Sequence, residues 1–382
     1  MTRDRFTKVL QPYFSLTAVF GVWRSEQWPR LSKVYTNLCF VLVTYDLCRG
    51  ISFLKFDGFS PALVFKFLLI LYATHVKVSF WTMRLIQRHK VEEFLEIWRV
   101  INQDRSKIPH HKLLRAVTYM GIAYIVSVSI MNGLWVGLGS LHVLVTFPFM
   151  GSYLILDQLE WVNGLIVFYT SFLFCVTQML YLSVCAILTA EFHEFNTRFK
   201  KLTTTQVEQI VPQLRYEHHN IVRLSDKADE MLTWYAFAIY SFNLPTLVMT
   251  AFLLTRDFNN LSPMSQFTFL SWVAILIMQV GVVSVPPSIV NYLAHKPLAK
   301  LENISNKLPG FASRQQAPVF QIFWELSLFI SQLTSRGIGI TGGGFFLITK
   351  PMILTVVSLV VTYFAILIQF DMAAAVPCQC VC

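Results

Sequence analysis

The sequence predicts an all-α membrane protein of seven transmembrane helices, with the N-terminus cytoplasmic, the C-terminus extracellular and the last helix split into a cytoplasmic and a membrane part. Three observations carry this reading. Of 382 residues, 55% are hydrophobic, 15% aromatic and 14% charged, with a mean hydropathy of +0.54, more apolar surface than a water-soluble domain needs for its core. Seven largely apolar stretches, at about 34–54, 61–83, 116–138, 161–188, 231–255, 266–293 and 345–370, approach or exceed the roughly 20 residues that a helix needs to cross the hydrocarbon. Lys and Arg are confined to alternate connections: 25 of the 31 lie in residues 1–33, 84–115, 189–230 and 294–336, against Lys55 and Arg256 in the opposite set. Basic loops stay cytoplasmic, so the N-terminus is inside and seven spans bring the C-terminus outside.

Residues 1–33 are polar, basic and interrupted by Pro12 and Pro29, a cytoplasmic segment without the apolar region of a cleavable signal. Residues 34–293 hold six spans. In the first, Asp46 and Arg49 lie one helical turn apart and are expected to pair away from lipid. Lys66 and Lys77 interrupt the second. Gly133 and Gly137 in the third form a close-packing motif, and Pro286-Pro287 breaks the sixth, where neighbours must satisfy the freed backbone groups. Between spans, residues 189–230 alternate apolar and charged residues at helical spacing, so the flanking spans are expected to continue into the cytosol.

Residues 294–336 form a cytoplasmic connection whose segment 315–335 is helical by pattern but too polar, at Glu325 and its glutamines, to face lipid. The run GIGITGGG, residues 337–344, separates it from the last span as a glycine hinge. Its literal GxGxxG lacks the preceding strand of a dinucleotide fingerprint. Thr349 is placed to cap the final helix, and Pro351 is tolerated in its first turn. Residues 350–370 then extend about 31 Å, the thickness of a bilayer core. Residues 371–382 are an extracellular tail.

Several function classes fall away. The net charge of +10 reports topology and contact with anionic membrane lipid, not nucleic-acid binding. The orientation is opposite to that of a G-protein-coupled receptor. His110-His111 and His218-His219 lack metal-ligand spacing, so no metal and no cofactor are expected. No nucleophile elbow, P-loop or kinase signature is present, which argues against an enzyme. Cys378, Cys380 and Cys382 lie in the outer tail, where disulfides can form but prenylation cannot. Asn260-Leu261-Ser262 is a formal glycosylation sequon close to the membrane. No internal duplication of a transporter kind is visible.

In the last span, Thr355, Ser358, Thr362, Ala365 and Gln369 fall within a sector of about 80° at 100° per residue. Such a stripe of small polar residues fits a water-filled path between helices or a helix-packing face. Thr362-Tyr363, five apolar residues, then Gln369-Phe370 resemble the C-terminal signature of the invertebrate gustatory receptor family, with its related nematode serpentine receptors. The motif covers only the last helix; the seven spans, internal N-terminus and split last helix agree with that family.

The resemblance implies a chemosensory receptor of the plasma membrane, a homo- or heterotetramer in which a small-molecule tastant opens a non-selective cation pore lined by the last helix. It places Gln369 near the outer constriction and Thr362 deeper, with Ile366 or Phe370 as a hydrophobic gate and Thr355 and Ser358 on the same pore face. It also implies a ligand pocket in the outer halves of the second to sixth spans, where Asn132, Trp135, Trp161, Asn163, Tyr169 and Trp272 are candidates; span-end aromatics are also common interfacial anchors. Lys350-Pro351 and the tail AAAVPCQCVC depart from the family pattern. A receptor signalling through a cytoplasmic partner and a light-responsive relative are the alternative readings.

Overall fold

The computed structural model describes residues 33–41, 44, 61–86, 90–103, 111–146, 160–257, 263–307 and 316–375. Residues 33–41 are helical. They are followed by α1 (Pro61–Ile86), α2 (Lys90–Ile101), α3 (His111–Thr146), α4 (Glu160–Lys201), α5 (Thr204–Asp257), α6 (Pro263–His295), α7 (Leu298–Lys307) and α8 (Gln316–Thr334). Strands β1 (Thr341–Gly342) and β2 (Phe346–Leu347) then precede α9 (Lys350–Ala375). Asp46, Arg49, Asn260 and Cys378, Cys380 and Cys382 lie outside the described residues.

Among the described residues, α4, α5, α6 and α9 each carry a stretch long and apolar enough to cross a bilayer. α5, with 54 residues, is about 81 Å long, far more than the hydrocarbon spans, and the charged pattern of 204–230 occupies the excess. α4 likewise runs past residue 188 to Lys201. It is the central post of the protomer: from Thr170 to Gln178 every residue is buried, with α3 along one side and α1, α5 and α6 on the others.

Helix ends are satisfied by side chains from neighbouring helices. A helix leaves its last carbonyls without partners. At the end of α6, Asn196 Nδ2 donates to the Leu293 carbonyl at 2.8 Å and His218 Nε2 to the Ala294 carbonyl at 3.0 Å. At the end of α4, Lys300 Nζ donates to the carbonyls of Phe199 and Leu202 at 2.9 and 2.8 Å. Thr203 and Gln206 bond reciprocally at the start of α5, a capping box. Within α6, Pro287 has no N–H for the Val283 carbonyl; the Tyr181 hydroxyl of α4 donates to it at 3.1 Å.

The glycine segment differs from the loose connection that its composition suggests. Residues 345–349, assigned by sequence to the last span, form the end of a β-turn, a short strand and a two-residue connection, and α9 starts only at Lys350. Thr341 pairs with Leu347 and Gly342 with Phe346. The turn is closed by the Phe345 N–H on the Gly342 carbonyl at 3.0 Å, with Gly343 and Gly344 at φ of 63° and 76°. Two successive left-handed residues are accessible to glycine without steric cost. Thr349 Oγ1 accepts the Met352 N–H at 3.4 Å, the cap expected from sequence.

Candidate functional site

α9 rests on its own protomer along one side only. Met352 and Val356 pack against the core, while no residue from Lys350 to Gln369 is buried. The partly covered positions 352, 353, 356, 360, 364, 367 and 368 centre on one direction of the helical wheel. Thr355, Ser358, Thr362 and Gln369, all exposed, centre about 180° away at 100° per residue. The polar stripe thus points away from the helices of its own chain. Thr355 Oγ1 donates to the Pro351 carbonyl at 3.2 Å and Thr362 Oγ1 to the Ser358 carbonyl at 2.8 Å. With the protons held by the backbone, the hydroxyl oxygens present lone pairs outward. Ile366 is exposed at the edge of the stripe; the side chain of Phe370 lies outside the described residues.

Of the pocket candidates, Asn132 and Trp135 lie on α3, Trp161 and Asn163 on α4 and Trp272 on α6, with side chains outside the described set. Tyr169 is half-buried on α4, and its side chain is hydrogen-bonded with the Cys39 thiol of the first span.

A second feature lies deeper in the bundle. The His75 Nδ1–H of α1 donates to Asn243 Oδ1 of α5 at 3.0 Å, and Asn243 Nδ2 donates to Gln279 Oε1 of α6 at 2.9 Å. All three are buried. The ring of His75 meets Phe174 edge-on, with centroids 4.3 Å apart, and lies 6.4 Å from Tyr235 and Phe242. Ser79 follows one turn further along α1, and Gln178 of α4 and Tyr235 of α5 are buried on the helices packed against it. The Ser79 hydroxyl, the Gln178 amide, the Tyr235 hydroxyl and His75 Nε2 have no hydrogen-bond partner among the described residues. Burying such groups costs roughly 1–3 kcal/mol each, so this layer is a concentration of polar tension inside an apolar bundle. Composition and helical patterning single out none of these residues. The available signal was four polar side chains, His75, Gln178, Asn243 and Gln279, inside otherwise apolar spans.

α5 joins that layer to α9. Above, it carries Asn243. Lower down, the Tyr240 hydroxyl pairs with Ser284 Oγ at 2.7 Å, and its ring stands edge-on to Phe346 of β2, with centroids 5.5 Å apart. Lower still, Asp229 accepts from the Thr341 N–H at 2.6 Å and from its hydroxyl at 2.9 Å. Thr233 accepts the Gly343 N–H on its carbonyl at 2.9 Å and the Gly344 N–H on Oγ1 at 3.0 Å. Burial pushes the Asp229 carboxyl above its ordinary range, against the opposing pull of the Thr341 bonds. Arg336 pairs with Asp226 at 2.8 Å. The hairpin that launches α9 is therefore fastened to one helix by backbone, side-chain and aromatic contacts together.

No curated protein sequence matches the chain significantly. In structure it is similar to the insect olfactory receptor OR5 from Machilis hrabei: TM-score 0.69 at 12% identity, over 95% of this chain and 98% of that one. For the same receptor in complex with eugenol the TM-score is 0.62 at 14% identity, over 96% and 98% of the two chains. These likenesses show a shared helical membrane fold. A family profile described as 7tm chemosensory receptor matches residues 10–374, and the chain belongs to that 7tm chemosensory receptor family.

Proposed function

We propose that the protein is a ligand-gated cation channel of the plasma membrane, in which four chains surround a pore lined by the Thr355–Gln369 stripe of α9. The observation that carries the proposal is the direction of that stripe. A helix as apolar as α9 that turns its only polar face away from its own protomer must be met there by other copies or by water, because lipid is a poor solvent for hydroxyls and amides. Outward lone pairs on Thr355 and Thr362 and the Gln369 amide can replace part of a cation's hydration without fixing it, while Ile366 or Phe370 supplies an apolar constriction.

The ligand is a small molecule bound in the outer part of the α1 to α6 bundle, with Asn132, Trp135, Trp161, Asn163, Tyr169 and Trp272 as lining candidates. Its binding opens the pore only to the extent that it favours the open arrangement. α5 is the natural transmitter, since it touches both the polar layer and the hairpin. In this reading the chain's N-terminus and long connections lie in the cytosol and its C-terminus outside, as the Lys and Arg distribution indicates.

Whole-cell currents recorded while a panel of sugars, bitter compounds, amino acids, acids and light is applied test this reading. A stimulus-evoked cation current is expected whose ion selectivity or gating shifts in Thr362→Ala and Gln369→Ala. Normal surface expression with second-messenger responses and no current would instead favour coupling through a cytoplasmic partner.

A further inference from the structure

Where α6 ends and α9 begins, two ammonium groups share one aromatic ring. Lys350 Nζ lies 4.1 Å and Lys296 Nζ 5.9 Å from the centroid of Tyr292. All three residues are exposed, and among the described residues neither lysine forms an ion pair. The ring face attracts each cation, but the two like charges repel, and no ion pair within the described residues balances them. An anion seated between them would.

The surface above this cluster is apolar and ordered. From Tyr292, Ile289, Val285 and Met278 follow one exposed face of α6 at helical spacing, covering about 21 Å over 14 residues. From Lys350, Leu354, Val357 and Val361 follow one exposed face of α9 in the same way. Gly281, on the α6 row, leaves open space where a Cβ would meet nothing within 4 Å. One leaflet of a bilayer core is about 15 Å deep, so both rows are long enough to accompany an acyl chain through it. A tyrosine at the boundary, lysines on the cytoplasmic side and apolar tracks running away from them match the charge and shape of one class of molecule.

We propose that Lys296, Tyr292 and Lys350 hold the phosphate headgroup of an anionic phospholipid of the cytoplasmic leaflet, its chains lying along α6 and α9. The site sits on the first turn of α9, so an occupant bears directly on where that helix starts. The proposal does not depend on the chain conducting ions, because its test reads lipid binding alone.

Full-length protein is exchanged into phosphatidylcholine vesicles containing one part in five phosphatidylserine, re-extracted, and its retained lipid measured by mass spectrometry. Wild type is expected to retain phosphatidylserine in clear excess over its share of the vesicle. Lys296→Gln and Lys350→Gln should each lower that excess about fivefold, Tyr292→Leu should lower it where Tyr292→Phe does not, and Lys350→Arg should keep it. Unchanged elution and melting temperature identify the variants that remain folded. Equal retention of both lipids by wild type, or an excess indifferent to both lysine substitutions, would overturn the proposal. Loss of the excess on adding millimolar inorganic phosphate would replace the lipid with a free anion, and a change in subunit number without a change in lipid ratio would make the rows a contact between copies.

Discussion

Helices α4 and α9 are both apolar enough to span a bilayer, yet most of the apolar window of α4 is buried inside the protomer and none of that of α9 is. Their compositions differ accordingly. Around its buried section α4 carries Phe172, Phe174, Cys175, Thr177, Gln178 and Tyr181, a mixture of large, small and polar residues, with the Tyr181 hydroxyl bonded to a neighbouring helix. α9 is mainly aliphatic on every side but the polar stripe. Hydrophobicity alone says that a segment leaves water; the variety of its side chains says what it meets afterwards.

The largest expected effect separates the two helices by stability. Phe172→Ala should cost about 3–5 kcal/mol through the cavity it leaves, whereas Leu354→Ala, at an exposed position, should stay within about 0.5 kcal/mol. Thermal unfolding of the detergent-solubilised protein compares them, and equal losses would mean that α9 is as deeply packed as α4.

A second test concerns the cytoplasmic end of that packed core. His218 is enclosed by Phe192, Phe195 and Phe329. Burial pushes it from 6.5 down to about 4, the bond to the Ala294 carbonyl opposing the shift and the nearby His295 and His219 adding to it. Because the folded value lies below the unfolded one, the stability from keeping this ring neutral is complete above pH 6.5. It is lost as the pH falls through 4, by on the order of 3 kcal/mol. Melting temperatures measured from pH 7 to pH 4 should fall less steeply in a His218→Gln variant.

The third test addresses how α9 is attached despite its thin packing. Asp229→Asn removes the charge from the acceptor of the Thr341 bonds and should weaken the hairpin by about 1.5–3 kcal/mol. Hydrogen exchange at the Thr341 and Gly343 amides should quicken while the amides of α4 keep their protection. Unchanged exchange at the hairpin would show that Thr233 and Phe346 hold it alone.

Much of the helical frame was legible in the sequence, because apolar length and charge alternation are carried by each segment separately. The stripe on α9 was legible for the same reason, since a helical wheel needs no knowledge of neighbours. Its direction relative to the protomer was not, because that depends on which face lands on α5 and α6. The hairpin was missed because strands of two residues have no periodicity; its stability comes from Asp229 and Thr233, more than a hundred residues earlier in the chain. The pairing of His75, Asn243 and Gln279 was hidden likewise, as it requires the register of three helices at once.

The bond from Tyr181 to the Val283 carbonyl has an evolutionary consequence. Pro287 creates the vacant acceptor and Tyr181 fills it, so each residue is advantageous only in the presence of the other. Loss of the hydroxyl alone strands a buried carbonyl, and replacement of the proline alone sets a backbone N–H in competition with the phenol for one oxygen. Lineages that pass through either single change carry a defect that the second change repairs. The two positions, on different helices and about a hundred residues apart, are therefore expected to be inherited as a pair.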